Sequence, residues 1–254
     1  MFKRSVLGVS LCLLSQFSLA NSVENHDPLV NGDVVDQEKY PAIIWIGNCT
    51  ATVVGPRVIL TAAHCNHGSD VSIQIHGSMY TVAMISSPHY ERSFQYFSPS
   101  ADLYTNSDLA VGFLDRPVDI TPVSVGGEAK LGQKGLLFGY GCNDRWGQHR
   151  DGELRAGENQ IAKATKNGML MKGIKDGASG CPGDSGGPTL VESAHGELQL
   201  LGIHSQVGFA DDNSRLNETW DARTDLPIAR DFLKDIATLN HADICGVTIN
   251  CSQR

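Results

Sequence analysis

Short apolar segments separated by turn-forming residues constrain the fold of this chain more than any other feature of its sequence. These segments are residues 42–46, 53–60, 71–75, 80–85, 109–114, 135–140 and 198–203. Gly, Pro, Asn, Asp and Ser lie between them, and the chain contains 27 glycines. Many short strands with turns between them are typical of an all-β barrel or sandwich.

One stretch near the end has helical rather than strand periodicity. Residues 227–239 place five apolar side chains on one helical face, namely Ile228, Phe232, Leu233, Ile236 and Leu239. Pro227 suits the first turn of a helix, because its missing N–H is not needed there. We predict a helix packed on a sheet. Residues 119–134, rich in Gly and Pro, are the predicted connection between two halves of the fold.

The first twenty residues have the pattern of a secretory signal peptide. Lys3 and Arg4 precede an apolar run over residues 6–14, and small residues end the segment at Ala20. A membrane span needs about 20 continuous apolar residues, which this run does not provide. We therefore expect cleavage after Ala20, no membrane anchor, and a secreted protein, extracellular or periplasmic.

Six cysteines remain after this segment, which is an even number for a chain sent to an oxidising compartment. They are Cys49, Cys65, Cys142, Cys181, Cys245 and Cys251. Three disulfides are expected, although six cysteines allow 15 pairings. A zinc site built on Cys49, His64, Cys65 and His67 is the alternative, but adjacent His and Cys are poorly spaced as ligands and no CxxC pair occurs. We expect no metal and no cofactor.

The charge distribution disfavours a nucleic-acid partner. The chain has 28 acidic and 20 basic residues, a formal net charge of −8, and no cluster of Lys or Arg after the signal segment. Proteins that bind nucleic acid need a basic surface to neutralise phosphates. We expect no nucleic acid among the partners.

Residues 180–188 place four glycines around Ser185. Glycine allows unusual backbone dihedrals and leaves main-chain N–H groups uncovered. A serine hydroxyl is a weak nucleophile that needs a base within hydrogen-bond reach and donors for the oxyanion formed after attack. The N–H groups of Gly183 and Ser185 are the candidate oxyanion hole. The alternative is a tight turn that Ser185 merely caps.

Two further residues carry the chemistry that such a serine needs. His64 follows the apolar segment ending at Leu60, and its ordinary pKa suits proton transfer near neutral pH. Asp108 directly precedes another apolar segment, where a buried carboxylate needs a partner such as a histidine ring N–H. Asp102 is the rival acid, but no apolar segment follows it closely. We predict Ser185 as nucleophile, His64 as general base and Asp108 as the residue that orients His64.

Three motifs, TAAHC at 61–65, SDLAV at 107–111 and CPGDSGGP at 181–188, together resemble the trypsin and chymotrypsin family of serine peptidases. The resemblance covers residues 29–239. It implies an all-β fold of two six-stranded antiparallel Greek-key barrels with a C-terminal helix, barrel one over about 29–120 and barrel two over about 121–241, followed by a tail at 242–254. It also implies a serine endopeptidase that acts on polypeptides through an acyl-enzyme, binds protein inhibitors and is a monomer.

The resemblance further implies a zymogen. Residues 29–32 resemble the new amino terminus that proteolysis creates in this family, and Asp184 matches its buried partner. Residues 21–28 are then a propeptide and the mature chain begins at Leu29. Pro28 departs from the family pattern, which has Lys or Arg before the cleavage point, so the activating enzyme stays open.

The resemblance also implies how the six cysteines pair in disulfides. Cys49 and Cys65 match the bridge beside the family's histidine. Cys181 matches a cysteine whose usual partner has no counterpart between residues 202 and 243. Its best remaining partner is Cys142, which leaves Cys245 and Cys251 to close a small loop at the carboxyl end.

For the specificity pocket the resemblance gives two readings. Ser179 occupies the position at the pocket floor, where an aspartate would attract Lys or Arg. Ser205 and Val207 match the pocket wall, and Val207 stands where large side chains require glycine, which favours an elastase- or chymotrypsin-like pocket over a simple trypsin-like one. Asp221, placed at the rear wall, would instead select a basic side chain.

Two other functions use the same residues. A binding protein on an inactive peptidase scaffold usually lacks a catalytic residue, and none is missing here. An esterase of the α/β-hydrolase fold has the pattern G-x-S-x-G between a strand and a helix, with its histidine after the serine. Residues 183–187 match that pattern, but Pro188 and an apolar run follow, and His64 precedes Ser185. The peptidase is the favoured interpretation.

Overall fold

A computed structural model describes residues 29–66, 68, 71–90, 107–142, 150–209 and 216–251. The predicted signal peptide at 1–20 and propeptide at 21–28 lie outside the described residues, as do His67 and the rival acid Asp102.

The first half of the chain forms a six-stranded antiparallel sheet that is curled into a nearly closed barrel. Its strands are β2 (Ile43–Trp45), β3 (Thr50–Gly55), β4 (Val58–Thr61), β5 (Val71–Ile75), β6 (Ser78–Ser86) and β7 (Ala110–Leu114), after a short β1 (Asp33–Val34). Neighbours are hydrogen-bonded in the order β2-β3-β4-β7-β6-β5. The two end strands, β2 and β5, lie beside each other.

The second half forms a closed barrel. Its elements are β8 (Ser124–Val125), β9 (Lys134–Gly139), β10 (Arg155–Thr165), β11 (Gly168–Met171), β12 (Pro188–Glu192), β13 (Leu198–Phe209) and β14 (Leu216–Arg223). Six strands pair antiparallel in the order β9-β10-β11-β14-β13-β12, and β12 pairs with β9 to complete the ring. The short β1 and β8 lie on β10 and β13. The predicted pair of six-stranded antiparallel barrels is confirmed.

Residue periodicity explains which faces point inward. Along β6, Tyr80, Val82 and Met84 are buried while Met79, Thr81 and Ala83 are exposed, as expected for a strand with one face on a core. Every residue of β3 and β4 is buried, because these strands lie between the barrel interior and the second half of the molecule.

Two sequence predictions about strands need correction. Residues 53–60 were expected as one strand, but the chain turns at Pro56 and Arg57, so this segment belongs to the hairpin of β3 and β4. The ring of proline fixes its φ and removes an N–H donor, which favours a turn there. The second concerns strands outside the predicted segments, which are β1, β8, β10, β11, β12 and β14.

The predicted helix is present as α1 (Pro227–Leu239). Of the five apolar residues expected on its inner face, Leu233 is fully buried, and Phe232 and Ile236 are partly buried against the core. The other buried residues of the helix are Ala229 and Ala237. Ile228 and Leu239 are 45% and 75% exposed. The small alanines allow the helix to approach the barrel closely. None of the helices in the described ranges has the length and apolar character that a bilayer crossing requires.

Both chain ends cross to the opposite barrel. The early strand β1 pairs with β10 of the second barrel. In the carboxyl-terminal segment, the N–H of Cys245 donates to the carbonyl of Val54 in the first barrel, at 2.8 Å. Residues 119–134, the predicted connection, follow β7, contain β8 and end at the first residue of β9. The two barrels are thus fastened together at their ends as well as along their interface.

The three predicted disulfides are present. Cys49 is bonded to Cys65, Cys142 to Cys181, and Cys245 to Cys251. The sulfurs of Cys49 and Cys65 lie near His64, but each is bonded to the other and offers no thiolate for a metal ion.

Candidate active site

His64 and Asp108 meet because the strands that carry them are paired. His64 lies in a helical turn (Ala63–Cys65) directly after β4, and Asp108 lies just before β7. The pairing of β4 with β7 aligns Thr61 with Ala110, which puts both functional residues at the same end of the first barrel. The sequence predicted a partner for Asp108, and the strand register supplies it.

Two hydrogen bonds join this pair. The main-chain N–H of His64 donates to Asp108 Oδ1 at 2.9 Å, and Nδ1 of His64 lies 2.7 Å from Asp108 Oδ2. The Asp108 side chain is 6% exposed and that of His64 is 18% exposed. With Nδ1 as donor to the carboxylate, Nε2 is left as the basic nitrogen of the ring.

Ser205 of the second barrel also reaches Asp108. Its Oγ donates to Asp108 Oδ2 at 2.5 Å. Asp108 is 4% exposed, so a third donor helps to satisfy a carboxylate that has little access to water. The sequence placed Ser205 on the pocket wall and did not predict this contact.

Ser185 lies on a loop that is fixed against the first barrel. Its carbonyl oxygen accepts a hydrogen bond from the Thr50 N–H at 2.9 Å. Cys65 Sγ, one residue after His64, lies 3.7 Å from that same oxygen. The Thr50 hydroxyl donates to the Gly183 carbonyl at 3.1 Å. The structure therefore brings the Ser185 loop to the segment that carries His64.

The glycines of this loop are required by its geometry. Gly183 has φ +107° and Gly186 has φ +79°, in the left-handed region that glycine adopts at little cost. A Cβ at Gly186 would collide with the Thr61 hydroxyl and the Thr50 carbonyl. The N–H groups of Gly183 and Ser185 make no hydrogen bond to the described part of the chain. They are available to a ligand.

Asp184 is buried behind this loop. Its two carboxylate oxygens accept hydrogen bonds from the N–H groups of Gly141 and Cys181, each at 2.8 Å. Burial raises the pKa of Asp184 to about 6, because these donors and the nearby positive charges of His204 and Arg155 offset the loss of hydration only in part.

The segment predicted to become the new amino terminus is already buried next to Asp184. The side chain of Leu29 is 1% exposed, and its N–H donates to the carbonyl of Cys142 at 3.3 Å. Cys142 follows Gly141, whose own N–H contacts Asp184. Leu29 thus lies close to the predicted partner in the intact chain, where its nitrogen is still an amide.

The predicted pocket residues fall into two groups. Ser179 and Val207 lie around Gly180: the Ser179 hydroxyl is 3.4 Å from the Thr219 hydroxyl, and Val207 Cγ1 is 3.2 Å from the position of a Cβ at Gly180. Thr219 was not singled out in the sequence, although it pairs with Val207 across β13 and β14. Ser179 and Thr219 are both fully buried.

Asp221 does not belong to this pocket. Its side chain is fully buried in the second barrel, and its two oxygens contact His204 Nδ1 at 2.8 Å and the Thr189 hydroxyl at 2.6 Å. A carboxylate engaged in this way is not offered to a substrate. The expectation that Asp221 selects a basic side chain is corrected by this geometry.

Arg150 is a further residue that sequence reasoning missed. It is exposed, and its guanidinium carbon lies 3.2 Å from the position of a Cβ at Gly183. It therefore borders the candidate oxyanion hole. No motif marked it in the sequence.

Comparison with known proteins agrees with this geometry. The family model described as Trypsin matches residues 30–220. A trypsin of Saccharopolyspora erythraea is 25% identical over 182 residues, covering 62% of this chain and 74% of the relative. Snake venom serine proteinase 14 of Crotalus adamanteus is 25% identical over 208 residues, covering 74% and 79%.

A solved structure supports the fold. Neuropsin, a serine protease expressed in the limbic system of mouse brain, matches with a TM-score of 0.62 and 22% identity, covering 82% of this chain and 98% of that one. Because the family model covers more than half of its residues, the chain belongs to the trypsin family of serine endopeptidases.

Proposed function

We propose that this chain is a secreted endopeptidase in which Ser185 is the nucleophile, His64 the general base and Asp108 the residue that orients His64. The observation that carries the proposal is the double hydrogen bond between His64 and Asp108. The Ser185 loop is held against the same barrel by the Thr50 N–H and lies next to Cys65, the residue after His64. A ring fixed on one side by a carboxylate is suited to take a proton on the other.

The reaction follows from these roles. Ser185 Oγ attacks the carbonyl carbon of the scissile bond while its proton passes to His64 Nε2, and Asp108 stabilises the imidazolium that forms. The resulting oxyanion accepts hydrogen bonds from the N–H groups of Gly183 and Ser185. His64 then gives its proton to the leaving amine, which breaks the C–N bond and leaves an acyl-enzyme. His64 then takes a proton from a water molecule that attacks the ester carbonyl, and gives this proton to Ser185 Oγ as the ester C–O bond breaks and the carboxylic acid product leaves.

We propose a preference for small apolar side chains before the cleaved bond. The floor formed by Ser179 and Thr219 carries no charge, and Val207 projects toward Gly180 at its side. A carboxylate that would attract Lys or Arg is absent from these residues, and Asp221 is engaged elsewhere. A β-branched wall residue leaves little room for an aromatic or long side chain.

Activation by cleavage after Pro28 is a further part of the proposal. The new ammonium at Leu29 would be formed near the buried Asp184 and would favour the ionised carboxylate. Secretion is supported by the signal pattern at 1–20 and by three disulfides, which persist in oxidising compartments. We also propose that the first barrel spans about 29–120, the second about 121–241 and the tail 242–254. The protein is proposed to be a monomer that is inhibited by proteins occupying its cleft.

A fluorophosphonate probe tests the catalytic assignment. The secreted chain processed at Leu29 should be labelled on Ser185, as identified by peptide mass spectrometry, and Ser185→Ala should abolish both labelling and peptide hydrolysis. Ser193→Ala, on a surface turn, is the matched control and should be labelled normally. Labelling that persists in Ser185→Ala would refute the nucleophile, and a cleavage profile dominated by arginine would refute the small-residue preference.

A further inference from the structure

The second barrel contains a second buried histidine–aspartate pair. His204 is 2% exposed and Asp221 is fully buried, and His204 Nδ1 lies 2.8 Å from Asp221 Oδ1. The other oxygen of Asp221 accepts a hydrogen bond from the Thr189 hydroxyl at 2.6 Å. These three residues lie on the adjacent strands β12, β13 and β14. Ionisable groups are costly to bury, so the position of this pair requires a physical explanation.

The main chain of His204 holds the loop that carries Ser185. The N–H of Gly186 donates to the His204 carbonyl at 2.8 Å, and the N–H of His204 donates to the Gly187 carbonyl at 2.8 Å. These two glycines directly follow Ser185. The His204 ring also packs against them, since its Cδ2 lies 3.1 Å from the position of a Cβ at Gly187. A rotation of this ring would disturb the loop immediately after the nucleophile.

The next residue along the strand reaches the other side of the candidate triad. Ser205 Oγ donates to Asp108 Oδ2, as described above. The dipeptide His204–Ser205 therefore contacts the Ser185 loop with one residue and Asp108 with the next. The two contacts are one residue apart on β13.

The charges around His204 favour its imidazolium form. Asp221 faces it from β14 and Asp184 from the loop, while Arg155 on β10 acts on Asp184. Burial lowers the pKa of His204, but the attraction of Asp221, its hydrogen bond and the charge of Asp184 outweigh burial and raise that pKa above its ordinary value. Nε2 lies on the side of the Phe138 carbonyl and makes no hydrogen bond of normal geometry with the described residues.

We propose that His204 and Asp221 are positioning residues for peptide hydrolysis, which fix the His204–Ser205 dipeptide so that the Ser185 loop and Asp108 keep their reactive arrangement. This inference rests on the proposed function. The pair touches neither the substrate nor the reacting atoms, and it acts through the main chain of His204 and through Ser205. Small displacements of reacting groups cost large factors in rate, up to about 10²-fold for 1 Å.

The test uses Asp221→Asn and His204→Gln in the secreted, processed enzyme. Both replacements keep a polar side chain of similar size and remove the ion pair. We expect kcat to fall by about 10²-fold with KM changed less than about twofold, because the lost interaction positions the transition state rather than the bound substrate. We also expect the strongly deshielded Nδ1 proton of His204 to disappear from the proton NMR spectrum of Asp221→Asn.

Leu233→Ala provides the stability control. Leu233 is fully buried in α1, away from the candidate site, so its truncation lowers the melting temperature without touching the loop. If Leu233→Ala lowers the melting temperature as much as Asp221→Asn does, it should still keep wild-type kcat. Equal kcat losses in Leu233→Ala and Asp221→Asn would overturn the proposal, as would unchanged kcat in Asp221→Asn. A wild-type enzyme that neither hydrolyses peptides nor reacts with a fluorophosphonate would instead refute the proposed function itself.

Discussion

The hydroxyl of Ser205 donates to the carboxylate of Asp108 at 2.5 Å, so a residue of the second barrel stabilises the acid of the first. Asp108 receives its other two hydrogen bonds from the main chain and ring of His64. The relative position of the barrels is thereby coupled to the orientation of the candidate general base. This coupling is open to direct measurement.

Ser205→Ala should lower kcat about 10-fold and leave KM nearly unchanged. A hydrogen bond to a charged group contributes about 1.5–3 kcal/mol, and about 1.4 kcal/mol corresponds to a factor of ten in rate. Steady-state kinetics on a chromogenic peptide measure the effect. Ser72→Ala, which removes an exposed hydroxyl from β5, should leave kcat unchanged. A wild-type kcat in Ser205→Ala would show that the contact does not orient Asp108.

Val207→Gly should shift the specificity toward larger side chains. Removing the isopropyl group next to Gly180 opens the pocket wall, and differences of this size in an apolar pocket correspond to about 10-fold or more in kcat/KM. The ratio of kcat/KM for phenylalanine and alanine substrates is the measurement. Val71→Gly, at a half-buried position on β5, serves as control and should preserve the ratio. An unchanged ratio in Val207→Gly would remove Val207 from the pocket.

The disulfides should differ in their effects on stability and activity. Cys142 and Cys181 are 39 residues apart and Cys245 and Cys251 are 6 apart, so loop-closure entropy predicts losses of about 4 and about 2 kcal/mol in the free energy of unfolding when each pair is replaced by alanine. Only the first pair adjoins Asp184, through Cys181. The free energy of unfolding, measured in urea, and kcat should both fall most in Cys142→Ala/Cys181→Ala. A larger loss of kcat in the other double variant would contradict this.

Asp184 should make the intact chain less stable as the pH rises. Its pKa in the folded chain, about 6, is above the ordinary 3.8, so the folded state binds the proton more tightly than the unfolded state. Its contribution to the free energy of unfolding is fully present below pH 4 and is lost as the pH passes through about 6, a decline on the order of 3 kcal/mol. Urea unfolding of intact Ser185→Ala at several pH values measures it.

The same experiment on Ser185→Ala/Asp184→Asn isolates this group. The difference in unfolding free energy between the two proteins should change between pH 4 and about pH 6. Parallel curves of unfolding free energy against pH would refute the raised pKa of Asp184. A Ser185→Ala chain that begins at Leu29 should show a smaller decline, because a nearby ammonium favours the ionised carboxylate.

The helix and the two partners His64 and Asp108 have the strongest local signals in the sequence. The helix bounds at 227 and 239 agree with the structure because Pro227 marks its first turn and the apolar period is clear. His64 and Asp108 could be singled out since each adjoins an apolar strand. Their contact depends on the pairing of β4 with β7, which a single sequence does not reveal.

The missed features depend on contacts between distant segments. Strand β10, residues 155–165, is rich in polar residues and lacks a clear alternation, so its pairing with β9, β11 and β1 defines it. The sequence placed Asp221 at the rear wall of the pocket, but it is Thr219 whose hydroxyl lies beside Ser179. The register of β13 with β14 aligns Asp221 with His204, and this long-range pairing decides which side of the barrel wall the carboxylate occupies.

The two glycines with similar backbone conformations, Gly186 and Gly47, should respond very differently to alanine. Their φ angles are +79° and +94°, so each replacement incurs about 1–2 kcal/mol of backbone strain. A Cβ at Gly47 meets nothing within 4 Å, whereas one at Gly186 collides with the Thr50 carbonyl and the Thr61 hydroxyl. We expect Gly47→Ala to remain active with a small loss of stability. Gly186→Ala should lose more than about 4 kcal/mol and its fluorophosphonate labelling, because the chain after Ser185 must move. Equal unfolding free energies and equal labelling rates in the two variants would mean that the Ser185 loop does not pack closely against the first barrel.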